Sequence, residues 1–227
     1  IKGRYTSPEE VVEAAIAERC ASISYTYSEP TIHYEHNRDV GILAREKGLK
    51  NVFVTNGMMT IEVAREAAMQ FLDAANVDLK AMNAETYKKH CQSGSQGFET
   101  VLAAITELHR QGVWVEVTTL VIPGLNDGDD ELKHAADFLA GLSPDIPWHL
   151  SRYHPDNEWT RSPATPLETL TRAREIGMEA GLRYVYTGNV WGDEGGHTYC
   201  PGCGEMVIQR HGFNARAIGL KSGSSGV

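Results

Sequence analysis

Apolar and polar positions along the chain switch repeatedly between the two-residue period of strands and the three-to-four-residue period of helices. Ser7-Pro8-Glu9-Glu10 opens a helix: Ser7 caps it, Pro8 suits the first turn and Glu10 closes a capping box. Val11, Val12, Ala15 and Ile16 form its apolar face. Ile23, Tyr25 and Tyr27 then alternate with small polar residues and predict a strand over Ala21–Thr26. Glu29-Pro30 stops it, since proline lacks an amide proton and holds the preceding residue out of the helical region. The next helix is expected from near Ile32, with Val40, Leu43 and Ala44 inward, ending at Gly48. A strand over Asn51–Thr55 stops at Asn56-Gly57, and Thr60 caps a helix running to about Leu72.

The rhythm continues. Ala74–Leu79 predicts a strand, and Ala84–Gln92 and Phe98–Gln111 two helical pieces joined by the loop Ser93–Gly97. Val113–Ile122 is a β-branched strand closed by Pro123-Gly124-Leu125-Asn126-Asp127, which reads mainly as a loop and helix cap. A helix carrying Leu132, Ala135, Ala136 and Leu139 leads to a strand over Pro147–Tyr153. Thr165-Pro166-Leu167-Glu168 has the pattern of a second capping box, with a helix to Gly181 and a last strand over Arg183–Thr187. One strand–helix pair therefore recurs about every thirty residues, as a parallel sheet with covering helices requires. The fold class is α/β, a partial (β/α)6 TIM-like barrel over 1–187. The extension 188–227 differs in character: a glycine-rich stretch, Cys200-Pro201-Gly202-Cys203, an apolar strand at Met206–Ile208 and a linker-like tail, Lys221–Val227.

Composition narrows the function. The 227 residues carry a net charge of −9, with no basic cluster, which argues against nucleic acid as a partner. No apolar run approaches the length of a membrane span. Four cysteines are too sparse for a disulfide scaffold, so the compartment reads as reducing cytoplasm.

In a barrel of this kind chemistry gathers at the C-terminal ends of the strands. Those ends carry Glu29, Thr55 with Asn56, Asp78 with Lys80, Thr118 with Thr119, and Tyr153 with His154. Asp78 and Lys80, two apart, would point to one side of a strand. Such a rim suits a polar zwitterion: Glu29 for an ammonium, Lys80 for a carboxylate, Asn56 or Asp78 for a sugar hydroxyl. The same residues have plainer readings, Asn56-Gly57 as a turn and Lys80 as a surface lysine. His149 alternates with Ser151 and Tyr153 and faces either the barrel interior or a structural pocket, and His33, His36, His90, His109 and His134 fall on helical stretches. Cys200 and Cys203 have the spacing of half a tetrahedral zinc or iron site, with His197 as a candidate third ligand. Two free thiols in a tight turn, or a redox pair, are the other readings.

The ordered series Y-S-E-P-T (27–31), F-V-T-N-G (53–57), V-D-L-K (77–80), V-I-P-G-L-N-D (121–127) and R-Y-H-P-D (152–156) resembles radical SAM enzymes related to pyruvate formate-lyase activating enzymes. W-V-E-V-T-T-L-V-I-P-G-L-N-D (114–127) and T-Y-C-P-G-C-G-E (198–205) resemble the AmmeMemoRadiSam subgroup in particular. The resemblance covers residues 7 to about 213. It implies a [4Fe–4S] cluster and S-adenosylmethionine at the barrel mouth, with reductive cleavage giving a 5′-deoxyadenosyl radical that abstracts hydrogen from a substrate. It implies Glu29, next to Pro30, on the methionine ammonium. Asn56 and Asp78, with Thr55 and Thr118 nearby, would lie along the ribose and methionine, Lys80 near the carboxylate and His154 beside the nucleoside. It further implies an electron donor, Memo-like and AMMECR1-like partners, and a second C-x-x-C completing a zinc-ribbon-like knuckle.

Two departures stand out. Related enzymes often have an acid where Val54 stands and an arginine near Glu116 or Thr118. Fe–S clusters are held by cysteine thiolates, and the C-x-x-x-C-x-x-C triple of these enzymes is not in the sequence. The resemblance places Ser7–Arg19 on the helix after that loop, so the chain is expected to start just beyond it. No hydrogen donor and no catalytic residue can be named. Two other functions fit the residues: a Schiff-base lyase or aldolase using Lys80 at a strand end, and a metal-binding scaffold in which Cys200 and Cys203 carry the function.

Overall fold

A computed structural model describes residues 5–156, 159–160, 162–212 and 214–220. The tail Lys221–Val227, expected as a linker, lies outside the described residues. The main sheet takes β1 (Ser22–Tyr25), β2 (Lys50–Thr55), β3 (Ala74–Asp78), β4 (Trp114–Val121), β5 (Trp148–Arg152) and β6 (Val185–Gly188) in the order in which they occur along the chain. The pairs β1–β2, β2–β3 and β5–β6 are parallel. Helices α1 (Pro8–Ala17), α2 (Tyr34–Glu46), α3 (Ile61–Gln70), α4 (Ala84–His90), α5 (Gly97–Arg110), α6 (Asp129–Leu142) and α7 (Leu167–Glu179) precede or link the strands. An unbroken strand order is the winding of a (β/α) barrel; a doubly wound open sheet reverses order at a switch point. The α/β, partial (β/α)6 expectation is borne out.

The chain divides into two compact units, the first holding residues up to Leu79 and Asn83–Val117. Its α1 starts on the expected capping box: Glu10 N–H donates to Ser7 Oγ at 3.2 Å, and Ser7 N–H to Glu10 Oε2 at 2.9 Å. Thr60 caps α3 by accepting from Val63 N–H. Alternation along β2 puts Asn51, Phe53 and Thr55 on the helix-covered face, all buried, while Val54 on the other face is 39% exposed. Phe53, Phe71 and Tyr25 pack edge to face, with centroids 5.6–6.4 Å apart. Gly41 lets α2 lie on this cluster, since a Cβ there would come within 2.3 Å of Phe71 Cδ2.

The Asn51 amide fastens that layer. Its Oδ1 accepts from the Tyr25 hydroxyl at 2.9 Å, and its Nδ2 donates to the carbonyls of Gly41 and Phe71 at 3.0 and 3.1 Å. Burial pushes the Tyr25 phenol well above its ordinary pKa, so it stays a donor. On α5, Glu107 accepts from Arg110, Gln111 and Arg65, and these donors, Arg110 foremost, hold its carboxyl well below the usual range against a smaller opposing desolvation.

The second unit holds Lys80–Met82 and the chain from Thr118 onward. Trp148 is fully buried and donates Nε1–H to Thr119 Oγ1 at 3.0 Å. Gly177 admits it, because a Cβ there would sit 3.0 Å from both Trp148 and Val185. A second, antiparallel sheet joins β7 (Thr198–Tyr199), β8 (Met206–His211) and β9 (Asn214–Ala217).

Several local expectations are corrected. Tyr27 is not in the first strand: it has φ 70° and is fully exposed, and β1 stops at Tyr25. After Glu29 the chain makes a 3-10 turn, Pro30–His33, before α2 begins at Tyr34. The second capping box does not form. Thr165 is fully buried and spends its hydroxyl on Val121 O and Tyr153 N, and α7 starts after Pro166 without a side-chain cap. β3 ends at Asp78, so Lys80 lies past the strand and the two-residue rule does not govern it. The C-terminal strand runs to His211 instead of Ile208 because it gains a hairpin partner, β9.

Asn51→Ala strands the Tyr25 hydroxyl and the Gly41 and Phe71 carbonyls; it is expected to cost about 3 kcal/mol, measurable by urea denaturation. Glu107→Gln is expected to lower Tm at pH 7. A depressed folded-state pKa gives stability that is present above the unfolded carboxyl pKa and is lost as pH falls toward the folded one. The Tm gap between Glu107→Gln and wild type should therefore narrow as the pH is lowered from 5 to 2, followed by circular dichroism.

Candidate functional site

In the first unit the site is built on the Glu29 carboxylate. Glu29 caps the 3-10 turn, with φ −63° and ψ 123°, the extended backbone that a following proline enforces. Its Oε1 accepts from Thr55 Oγ1 at 2.6 Å, Thr31 Oγ1 at 3.1 Å and Thr31 N–H at 3.4 Å. Its Oε2 accepts from Asn56 N–H at 2.8 Å. Hydrogen bonds to an ionised carboxylate are the strong ones, and these donors come from two adjacent strand ends. The carboxylate is thereby fixed in place while remaining half-buried.

The loop after β2 is built to make those donors available. Thr55 Oγ1 also accepts from Gly57 N–H at 3.1 Å, and Asn56 Oδ1 accepts from Met58 N–H at 2.8 Å. Gly57 has φ 73°, and a Cβ there would lie 2.8 Å from Val77 Cγ1, so both conformation and space demand glycine. Thr55 pairs in register with Val77, which places Asp78 level with Asn56 at the neighbouring strand end. Glu29, Pro30, Thr55 and Asn56 are thus brought together, with Asp78 beside them.

In the second unit the expected residues stand on separate elements. Lys80 is half-buried past the end of β3. Its carbonyl accepts from Asn126 Nδ2 at 2.7 Å; the same nitrogen donates to Leu120 O at 2.9 Å, and Asn126 Oδ1 accepts from Ile122 N–H at 2.7 Å. Asn126, 2% exposed, is therefore a clasp on the path after β3 and not a helix cap; Gly128 occupies the cap of α6. Thr118 sits on β4 between the buried Val117 and Thr119, on the less buried face with Glu116 and Leu120. His154 is exposed just after β5. His149 is half-buried and stacked on Tyr186, with centroids 5.2 Å apart and planes 23° apart. Trp148 and Val185 face Gly177 of α7, so by alternation His149 and its register partner Tyr186 lie on the face away from that helix.

Sequence reasoning passed over Thr31, Asn126 and Thr165. Glu-Pro-Thr carries a weak signal, a hydroxyl two residues after an acid. Asn126 and Thr165 carry none, since each sits in a pattern that reads equally well as a turn or a cap.

At the knuckle, Cys200 N–H donates to Glu205 O and Gly204 N–H to Cys200 O, both at 2.8 Å. The N–H groups of Cys203 and Gly202, then the Cys203 thiol, lower the Cys200 pKa. His197 does not join them: its Nδ1 accepts from Arg210 N–H and its ring packs beside Tyr199 and His211. Among the described residues no three His, Cys, Asp or Glu side chains gather as a metal site, which corrects the reading of His197 as a third ligand. Cys20 and Cys91 are exposed free thiols. The residues present therefore do not fit a [4Fe–4S] cluster, which needs three thiolates from one site. Among the described residues no helix is long and apolar enough to cross a membrane.

Residues 1–139 match the model of the radical SAM superfamily. The chain belongs to that superfamily. An uncharacterized protein of Methanocaldococcus jannaschii is 45% identical over 218 residues, 96% of this chain and 63% of the relative. A probable GTP 3′,8-cyclase of Thermococcus kodakarensis is 32% identical over 140 residues, 57% of this chain and 43% of the relative. The chain thus spans less than two thirds of either relative's length. In fold it is similar to a domain of pyruvate-formate lyase-activating enzyme from Bacteroides vulgatus, with a TM-score of 0.64, 21% identity, and 74% of this chain and 99% of that one covered. A radical SAM methyltransferase from Sphaerobacter thermophilus gives a TM-score of 0.62 at 20% identity over 81% of this chain and 58% of the other. The superfamily implies S-adenosylmethionine and a [4Fe–4S] cluster, and the earlier expectation of a radical SAM protein holds at that level.

Asn126→Ala removes one acceptor and two donors from part-buried main chain. It is expected to destabilise by about 2–3 kcal/mol, and hydrogen exchange should quicken first at Ile122 N–H, whose acceptor is lost.

Proposed function

We propose that this chain is the S-adenosylmethionine-binding portion of a radical SAM enzyme of the pyruvate formate-lyase activating type. The observation that carries the reading is the Glu29 carboxylate, held by Thr55, Thr31 and Asn56 at the mouth of β1 and β2. A fixed, half-buried anion at that place suits a compact cation such as the methionine ammonium, because its position costs no reorganisation when the ligand arrives. Pro30 sets the turn that presents it. Asn56 and Asp78, level with each other, take the ribose and methionine side in this reading, Lys80 the carboxylate and His154 the nucleoside, with Thr118 counted among the binding residues.

When bound, S-adenosylmethionine supplies the carbon-centred radical that removes hydrogen from a substrate. The chain's own residues bind and orient it. Thiolates for the cluster are not among the four cysteines as placed. The barrel over 1–187 is proposed to carry the chemistry and the extension 188–227 to carry half of a zinc-ribbon-like knuckle at Cys200 and Cys203. The AmmeMemoRadiSam assignment, with an electron donor and with Memo-like and AMMECR1-like partners, rests on the motifs at 114–127 and 198–205. Cytoplasmic placement rests on the sparse cysteines.

The test uses the protein expressed from its complete gene under anaerobic conditions. Equilibrium dialysis with labelled S-adenosylmethionine measures binding, and chromatography measures 5′-deoxyadenosine. Glu29→Gln is expected to weaken binding about tenfold or more, the loss of a charge-assisted contact. Thr55→Val, which keeps the charge but removes one of its donors and the acceptor of Gly57 N–H, should weaken it less. Unchanged binding in Glu29→Gln would sink the assignment of Glu29, and no binding by the wild-type protein would sink the reading as a whole.

A further inference from the structure

The second unit contains a cavity of about 560 Å³, and His154, assigned above to the nucleoside, is on its lining. Its volume is that of a metabolite-sized ligand site. The floor is the stacked pair His149–Tyr186 on β5 and β6, and the loop after β6 forms one wall. Asn189 starts that loop with φ 58° and anchors it by donating Nδ2–H to Arg152 O. Trp191 lies along the opening, 88% exposed, near enough to Gly212 that a Cβ there would come within 3.1 Å of its ring.

The cation comes from the C-terminal sheet. Arg210 on β8 sits 5.3 Å from the Tyr186 ring centroid. Its Nη1 donates to Thr198 Oγ1 at 2.7 Å and to Gly196 O at 3.2 Å. Both acceptors are neutral, and among the described residues no carboxylate lies within ion-pair distance of this guanidinium. The acid lining the cavity, Asp193, accepts from the Thr187 hydroxyl. A guanidinium held in place by two neutral acceptors and a ring face keeps its charge and part of its donor fork for something else. The other ionisable groups on the lining are His149, His154 and Tyr186.

We propose that this cavity binds a small molecule with a flat body and an anionic group, the body against His149, Tyr186 and Trp191 and the carboxylate or phosphate on Arg210. Taking that molecule as the enzyme's substrate rests on the radical SAM reading; the binding itself does not.

Full-length protein is titrated with benzoate, and separately with inorganic phosphate, at constant ionic strength. The Trp191 indole N–H resonance is followed by NMR, identified by its loss in Trp191→Phe. At least one probe is expected to give a saturable shift, and which one does tells carboxylate from phosphate. Arg210→Gln should weaken it about tenfold or more, and Arg210→Lys, which keeps charge without the fork, by less. If Arg210→Gln does not fold, Arg210→Lys decides by the same comparison. No saturable shift with either probe in the wild type, or affinity unchanged in the folded variants, overturns the proposal. S-adenosylmethionine is titrated in parallel and read at the Gly57 amide. Its failure to bind would sink the S-adenosylmethionine reading as a whole and leave the binding of an anion in this cavity standing, and Arg210→Gln is expected to leave the Gly57 shift unaltered.

Discussion

The Glu29 carboxylate imposes the tightest local requirement in the first unit. A charged group at a strand end, half out of water, is tolerable only with donors of its own, and here they come from Thr55, Thr31 and the Asn56 main chain. Each donor has a cost elsewhere. Thr55 must be on the helix side of β2 yet polar, Asn56 must turn its main chain inward, and Gly57 must take φ 73° against Val77. Pro30 removes an amide that would otherwise compete and fixes the backbone of Glu29. Three consecutive choices at one strand end, Thr55, Asn56 and Gly57, and two at another, Pro30 and Thr31, therefore follow from placing one charge.

The sheet beneath is sorted by face. In the first unit the helix side of β2 is nearly closed to solvent, with Phe53 at 0% and Thr55 at 3%, while Val54 opposite is 39% exposed. In the second unit Trp148 and Leu150 are fully buried, and His149 and Ser151, which alternate with them, are not. A parallel strand buried on both faces usually reads as continuous apolar residues. Alternation with Asn76, Asp78 and Glu116 in the first unit, and with Thr118 and His149 in the second, instead marks strand faces that are kept polar.

Much of this was legible in the residue pattern. Ser7-Pro8-Glu9-Glu10 became the capping box it resembles, because an exposed helix start has no competing partner for Ser7. Thr165-Pro166-Leu167-Glu168 did not, because Thr165 is buried against Val121 and Tyr153 and tertiary contacts took its hydroxyl first. Tyr27 extended the alternation on paper, but the chain had to reverse toward Glu29 and took a left-handed step there. The Glu29, Thr55 and Asn56 grouping could be anticipated from the rule that parallel strand ends converge. Asn126 and Arg210 could not, since what they bond lies 46 and 12–14 residues away in sequence with no shared motif.

Asn126 also sets an order in time. It fixes the carbonyl of Lys80, which is made 46 residues earlier. At ordinary rates of synthesis that interval is roughly 2–9 s. During it, the nascent chain can complete β3 but cannot hold the path that leaves it. The strand end that is expected to meet a ligand is therefore settled at the ribosome only after β4 has been made, and not when β3 itself is complete.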